Sequence, residues 1–256
     1  MTLFGMSSTD SAPADWYLES LRLTAFRVHP IADERDEWMR FVGAEPEVEI
    51  RSRAEGATAY ISAMPHELGT LTLQVDGTRR KADWFVGAVR LHDVPPALPI
   101  VGPLADVLPQ LRSFVSDWCA RNEDSSRRVA VGLVLLGPDY QDRASGYDSL
   151  QPFLPAVHLD GQSSDFMYRI NRQRPSQVAA TLVNRVSLWS VVRMLDVELG
   201  SAAMPVNKAE QYRRRVALDI NTAQEQDAEF DASMQSRLIH ELLDLGLEIS
   251  EKGDIP

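Results

Sequence analysis

From residue 21 onward, Leu21, Leu23 and Ala25 alternate with Arg22, Thr24 and Phe26. That period of two sends alternate side chains to opposite faces of a strand. Residues 31–41 predict a short helix, because Asp33, Glu34, Asp36 and Glu37 stand at its front, where acids complement the positive end of a helix dipole. Strand-like segments follow at 48–53, 58–63 and 70–75, the last alternating Leu71, Leu73 and Val75 with Thr70, Thr72 and Gln74. Asp76-Gly77 then supplies a turn before a further strand at 81–91, since glycine accepts the positive φ that tight hairpins need. The result is an antiparallel meander. Beyond the proline-rich VPPALPIVGP, residues 104–122 place Leu104, Val107, Leu108, Leu111, Val115, Trp118 and Cys119 on one helical face. That helix is expected to lie across the sheet.

The second half runs through a similar order. It predicts a strand at 128–136, a short helical stretch at 147–153, strands at 165–171, 186–195 and 216–220, and a final helix at 227–247. The last carries Phe230, Met234, Leu238, Leu242 and Leu245 at three- and four-residue steps. The fold class is therefore α+β, with antiparallel sheets each backed by a long helix. Two arrangements are open: a pseudo-duplicated helix-grip or TATA-binding-protein-like pair, and a single irregular α+β domain. The segment 1–15 is small and polar around SSTDSAPAD and is expected to be a flexible lead-in. Two α+β halves follow, 16–124 and 125–256.

With 256 residues, 44% of them apolar, the chain can fill a substantial core. Its net charge of -11 opposes non-specific attraction to nucleic acid or anionic lipid and favours a basic partner. The apolar run at 129–136 is far shorter than the roughly 20 residues that cross a bilayer, so no membrane span is expected. A single cysteine, Cys119, rules out an internal disulfide, and the lead-in lacks a basic start and apolar stretch, which predicts a cytoplasmic protein.

Local catalytic signatures do not occur. The chain holds no G-x-S-x-G, no G-x-x-x-x-G-K-[ST], and no G-x-G-x-x-G opening a helix after a strand. His29, His66, His92, His158 and His240 are scattered singly, and the run starting at His240 and Glu241 has Asp244 where a zinc motif needs its second histidine. Asp139, Asp142 and Asp148 are close in sequence but lack the alternating spacing of a calcium loop, which predicts a solvated connection. Cys119 falls on an apolar stripe, where burial suppresses thiolate chemistry. No metal and no cofactor are expected.

One stretch departs from the overall acidity. Between Asp165 and Asp196 there is no acidic residue, while Arg169, Arg172, Arg174, Arg185 and Arg193 all fall inside. Guanidinium forks match paired oxygens of a carboxylate or phosphate, so a ligand-gripping patch is one reading. The other is internal neutralisation by the acids of the terminal helix and its tail: Glu225, Asp227, Glu229, Asp231, Glu241, Asp244, Glu248, Glu251 and Asp254. Asp219 stands alone on an apolar strand and must face solvent or find a donor, for which Arg169 and Arg172 are candidates. The candidate binding residues are thus Arg169, Asn171, Arg172, Arg174, Arg185 and Asp219.

The run Tyr168-Arg169-Ile170-Asn171-Arg172, with the later Ala217-Leu218-Asp219-Ile220 and the amphipathic terminal helix, resembles a sporadically distributed bacterial family. Its members show an Ile-Asn-Arg strand and a late Leu-Asp-Ile strand. The resemblance covers about the last third of the chain. It implies no particular activity, only an accessory role such as those of mobile elements or defence systems. Three functional expectations follow: a non-catalytic protein that binds a protein partner, a nucleic-acid or phospholigand binder acting through the arginines, and an enzyme with a site dispersed around Asp219. Oligomeric state is left open.

Overall fold

A computed structural model describes residues 15–52, 56–63, 69–88, 100–160, 163–199, 205–224 and 228–254, with backbone alone at 195–199 and 205–209. Residues 1–14 of the expected lead-in, most of the proline-rich segment, positions 89–91 of the predicted strand, His66, His92, Glu225 and Asp227 lie outside the described residues. The elements in chain order are β1 (Tyr17–Arg27), α1 (Glu34–Val42), β2 (Val48–Ser52), β3 (Ala57–Ala63), β4 (Thr70–Val75), β5 (Lys81–Gly87), β6 (Gly102–Pro103), α2 (Leu104–Arg121), β7 (Ser126–Tyr140), α3 (Arg143–Asp148), β8 (Met167–Asn171), β9 (Arg174–Pro175), β10 (Leu182–Leu199), β11 (Pro205–Thr222) and α4 (Ala232–Lys252).

All strands join one sheet, in the order β2-β3-β4-β5-β1-β7-β11-β10-β8, with β6 added to β1 and β9 to β10. Every neighbouring pair is antiparallel. This corrects the expectation of two sheets. The first strands of the two halves, β1 and β7, pair with each other over most of their lengths and fuse what would otherwise be two sheet edges. Covering such edges removes unpaired backbone groups that would otherwise template association. The fold class α+β stands, with a large antiparallel sheet and a C-terminal helix.

One face of this sheet carries the core. Leu21, Leu23 and Ala25 of β1 stand in register with Leu133, Val131 and Val129 of β7 and with Val86, Trp84 and Ala82 of β5; all are buried. Leu218 and Ile220 of β11 continue the same surface. α4 lies directly on β7 and β11, and α2 packs on α4 and β1. Gly246 permits the close approach of α4: a Cβ there would meet Leu133 Cδ1 at 3.0 Å and Ile220 Cγ1 at 3.6 Å. At one end, Trp38 of α1 stacks on Trp84 at 5.9 Å. At the other, Trp16, Phe153 and Trp189 form a second aromatic cluster, with ring centroids 5.4 to 6.4 Å apart.

Helix ends follow local capping chemistry. The Asp33 carboxylate accepts from the Arg35 and Asp36 amides, so α1 starts three residues later than the acidic run alone predicts, and Gly43 closes it at φ 74°. The expected helix at 147–153 is instead the six-residue α3, begun at Asp142, whose side chain accepts from the Ser145 amide. α4 begins after Asp231, which caps the Met234 amide, and runs through Gly246 to Lys252. β10 and β11 are 18 residues each, far longer than the segments predicted for them.

Candidate functional site

Strand alternation sorts the six predicted residues onto two opposite faces. Tyr168 and Ile170 of β8 stand against Trp189 and Ser187 of β10, on the helix-covered side, whereas Arg169 and Asn171 oppose Leu188 and Val186 on the other side. A single shared site is therefore not formed.

On the covered side, Arg172 grips Asp254 with two parallel hydrogen bonds, Nε to Oδ1 at 2.8 Å and Nη2 to Oδ2 at 3.0 Å. The Tyr168 hydroxyl donates to the same carboxylate at 2.9 Å. The Arg172 hydrogen bond, which outweighs the opposing effect of burial, holds the Asp254 carboxyl below its ordinary value. Burial, then the bond to Asp254, pushes the Tyr168 phenol up. Arg174 donates to Glu248 at 3.3 Å, and Lys252 reaches the other oxygen of Glu248 at 3.1 Å. Arg185 is 4% exposed, and its Nε has no hydrogen-bond partner among the described residues. Burial, reinforced by Arg174, lowers its pKa. The acids of α4 and its tail thus occupy Arg172 and Arg174, and Arg185 is buried on the same side of the sheet.

Asp219 binds neither Arg169 nor Arg172. Its partner is Arg22 of β1, at 3.2 Å, with the intervening strand β7 crossed at Gly132, which is in register with both residues. Glycine leaves room at that crossing: a Cβ at 132 would stand 3.3 Å from Arg22 Nε and 3.4 Å from Arg22 Cβ, so the arginine would have to shift by a few tenths of an ångström.

Asp219 and Arg22 belong to a row that traverses the whole uncovered face, Asn171–Val186–Asp219–Gly132–Arg22–Phe85–Thr72–Ile61–Val48. Beside it runs an amide ladder. Asn171 donates to Asn184 Oδ1 at 3.0 Å, Asn184 to Asn221 Oδ1 at 2.9 Å, and Arg128 to the same Asn221 oxygen at 2.8 Å. Three carboxylates on this face are neutralised locally: Asp219 by Arg22, Asp83 by Lys81 at 2.5 Å, and Glu19 by Arg215 at 2.9 Å. Arg128 lies 5.1 Å from the Phe26 ring, and Arg169 is exposed.

The described helices pack on the opposite side, so among the described residues this face carries no helical layer. Among the described residues, three large apolar side chains are exposed: Ile50 at 52%, Met167 at 69% and Leu182 at 42%. By register all three belong to the uncovered face, Ile50 opposite Ala59, Met167 opposite Ser190, and Leu182 one step before Val183, which points to the core.

Three further arginines escaped the sequence reading because the last strand was expected only at 216–220, whereas β11 starts at Pro205. Arg213 pairs with Asp139 and donates to the Gly137 carbonyl. Arg214, 8% exposed, lies 4.7 Å from the Trp16 ring and 5.2 Å from the Phe153 ring, and donates to the Tyr140 hydroxyl at 2.8 Å. Arg215 pairs with Glu19. Three consecutive cations before a strand were the available signal. Asp139 and Asp142 of the acidic loop are thereby an ion-pair partner and a helix cap. Cys119 is buried, with its thiol pushed up to about 11 by burial. His240 contacts the Ser116 hydroxyl and the Ser236 carbonyl. A cleft of about 520 Å³ beside α2 and α4 is lined by Trp16, Leu104, Leu108, Leu245 and Leu247, with the Arg174–Glu248 pair among its walls.

No family model matches the chain, and no curated protein or solved structure does. No helix among the described residues is long and apolar enough to cross a membrane.

Proposed function

We propose that the chain is a non-catalytic binding protein that meets a protein partner through the uncovered face of its sheet. One observation carries this reading: the exposed large apolar side chains of the described residues, Ile50, Met167 and Leu182, all belong to that face. The three are spread along the face, and the rows between them present the half-buried Val186, Leu188, Phe85 and Ile61, so apolar surface there is distributed over several strands. The net charge alone favours a basic partner. Among the described residues of the face the balance differs, because Arg128 and Arg169 exceed the paired carboxylates, so the contacting surface of the partner is apolar with carboxylates at its rim. The nucleic-acid or phospholigand reading through Arg169, Arg172, Arg174 and Arg185 has no such support, since Arg172 and Arg174 are bound by the protein's own acids, Arg185 is enclosed, and Arg169 stands apart from them on the opposite face. A dispersed catalytic site around Asp219 is likewise unsupported, Asp219 being separated by the sheet from Arg172, Arg174 and Arg185 and bonded to Arg22.

The same proposal includes a duplicated origin of the helix-grip or TATA-binding-protein-like kind. In each half the first strand lies centrally, the last strand lies next to it and earlier strands lie outward, as β1-β5-β4-β3 and β7-β11-β10-β8. Kinship with the sporadic bacterial family, and with it an accessory role in the cytoplasm, rests on the Ile170-Asn171-Arg172 and Leu218-Asp219-Ile220 strands, which flank β10 on either side.

A photo-crosslinking residue placed at position 50 or 188 in the native host tests the reading. Defined adducts are expected from both positions and none from position 110 on α2. Absence of adducts from the sheet positions refutes it.

A further inference from the structure

We infer that the protein partner presents an extended segment with a carboxylate near each end, laid diagonally across β8, β10, β11 and β7 between Arg169 and Arg128. This rests on the reading of the uncovered face as a docking surface and adds the chemistry of what docks.

Hydrogen-bond valence along the amide ladder is one-sided. Asn184 Oδ1 accepts from Asn171 at 3.0 Å and from Gln173 at 2.6 Å, and Asn221 Oδ1 accepts from Asn184 at 2.9 Å and from Arg128 at 2.8 Å. An amide oxygen has two acceptor sites and an amide nitrogen two hydrogens. The oxygens of Asn184 and Asn221 are therefore filled, while the nitrogens of Asn171, Gln173 and Asn184 each keep a hydrogen to give. Asn171 Oδ1 already accepts from the Arg185 backbone amide at 3.0 Å. Asn171 and Gln173 are exposed and Asn184 is half-buried. Such a stripe offers donors and calls for acceptors.

An uncommitted cation stands at each end of it. Arg169 is exposed and has no partner among the described residues. Arg128 has the Asn221 oxygen and the Phe26 ring, but no carboxylate among the described residues. Asp219, two positions from Asn221, is held by Arg22. Register fixes the separation of the two cations. Arg169 shares a row with Leu188, Ala217 and Val134, and Arg128 lies further along β7, at position 128 against 134. Three strand spacings of roughly 4.8 Å and six residues of roughly 3.4 Å put the arginines about 25 Å apart, the span of roughly seven extended residues. Val186 and Asn221 fall on the line between them, so the middle of the segment is uncharged and partly apolar.

The net charge of -11 selects this occupant over a polyanion. A phosphate chain carries a charge at every unit and is repelled by the rest of the surface. Two carboxylates separated by neutral residues engage only the two local cations, and backbone carbonyls between them accept from the spare amide hydrogens.

The test is selection from a display library of random peptides of about nine residues on the intact chain, in about 0.15 M salt. Enriched sequences are expected to carry Asp or Glu at two positions about six residues apart, with apolar residues between. A labelled peptide from that set should bind about threefold or more weakly to Arg169→Gln and to Arg128→Gln, each of which removes one ion pair. Titrating it should shift the side-chain amide resonances of Asn171 and Asn184 and leave those of Gln110 on α2 unmoved. Arg169 is exposed, so its variant reads the contact even where Arg128→Gln disturbs the sheet. Enrichment of basic or charge-free sequences overturns the inference, as does tighter binding of oligothymidylate than of the selected peptide, or an affinity indifferent to both substitutions. If crosslinks from positions 50 and 188 capture a protein but no acidic sequence is selected, the inference fails and the docking reading survives. If neither occurs, both fail.

Discussion

Arg214 offers a quantitative test of how a cation is held inside this protein. Its guanidinium packs beside the touching Trp16 and Phe153 rings, donates to Tyr140, and has no carboxylate partner among the described residues. Burial accordingly lowers its pKa. Each desolvated cation–π contact contributes up to about 2 kcal/mol, and a hydrogen bond from a charged donor about 1.5–3 kcal/mol. Against these stands the burial of an unmatched charge, which costs several kcal/mol. The two sides nearly cancel, so the shape of the side chain decides the outcome. Arg214→Met fills the slot without a charge and is expected within about 1 kcal/mol of the parent. Arg214→Ala leaves a void beside the two rings and should cost about 2–4 kcal/mol. Arg214→Lys keeps the charge but loses the wide, weakly hydrated guanidinium that reaches both rings, and should cost about 1–3 kcal/mol. Urea unfolding followed by tryptophan emission reads all three, since Trp16 is one of the contacted rings. A lysine variant as stable as the parent would refute guanidinium contact with the rings as the reason the charge is tolerated. A methionine variant as unstable as the alanine one would show that the charge itself is needed.

Two predictions concern pH. Because burial holds the Cys119 thiol near 11 against an ordinary value of 9.0, the native chain should react with a thiol-specific disulfide reagent at pH 8 at least about 100-fold more slowly than the urea-unfolded chain. The native pKa exceeds the unfolded one, so the associated stability is fully present below pH 9 and is lost as pH rises toward 11. A Cys119→Ala variant should lack that alkaline component in its stability profile. Asp254 has the opposite sign. Its native value is depressed by Arg172, so its contribution is present above the ordinary carboxyl value of 3.8 and disappears as pH falls through the lower native one. Asp254→Asn should remove that acid-side component and speed amide exchange in β8, measured by hydrogen exchange; an unchanged acid profile would contradict the Arg172–Asp254 clamp.

Much of the local architecture was legible in the residues. The alternation of Leu21, Leu23 and Ala25 marked β1, and the stripe from Leu104 to Cys119 marked α2 with nearly its observed bounds. Such features depend on neighbours one to four residues apart, so a short window contains their cause. The stripe also implied burial of Cys119, which the packing bears out. The parity of β8 was present too, and it already separates Arg169 and Asn171 from Arg172.

What tertiary structure alone decided is which distant surfaces meet. Nothing near Asp219 points to Arg22, 197 positions away, or to Gly132 as the residue whose missing side chain lets the arginine cross a strand. Nothing in the two halves announces that β1 and β7 join them into one sheet instead of two. The same holds for the uncovered face. Periodicity tells which side chains share a side of a strand, but which side receives the helices is fixed by packing among segments a hundred residues apart, where apolar burial is shared by the whole sheet and has no local signature.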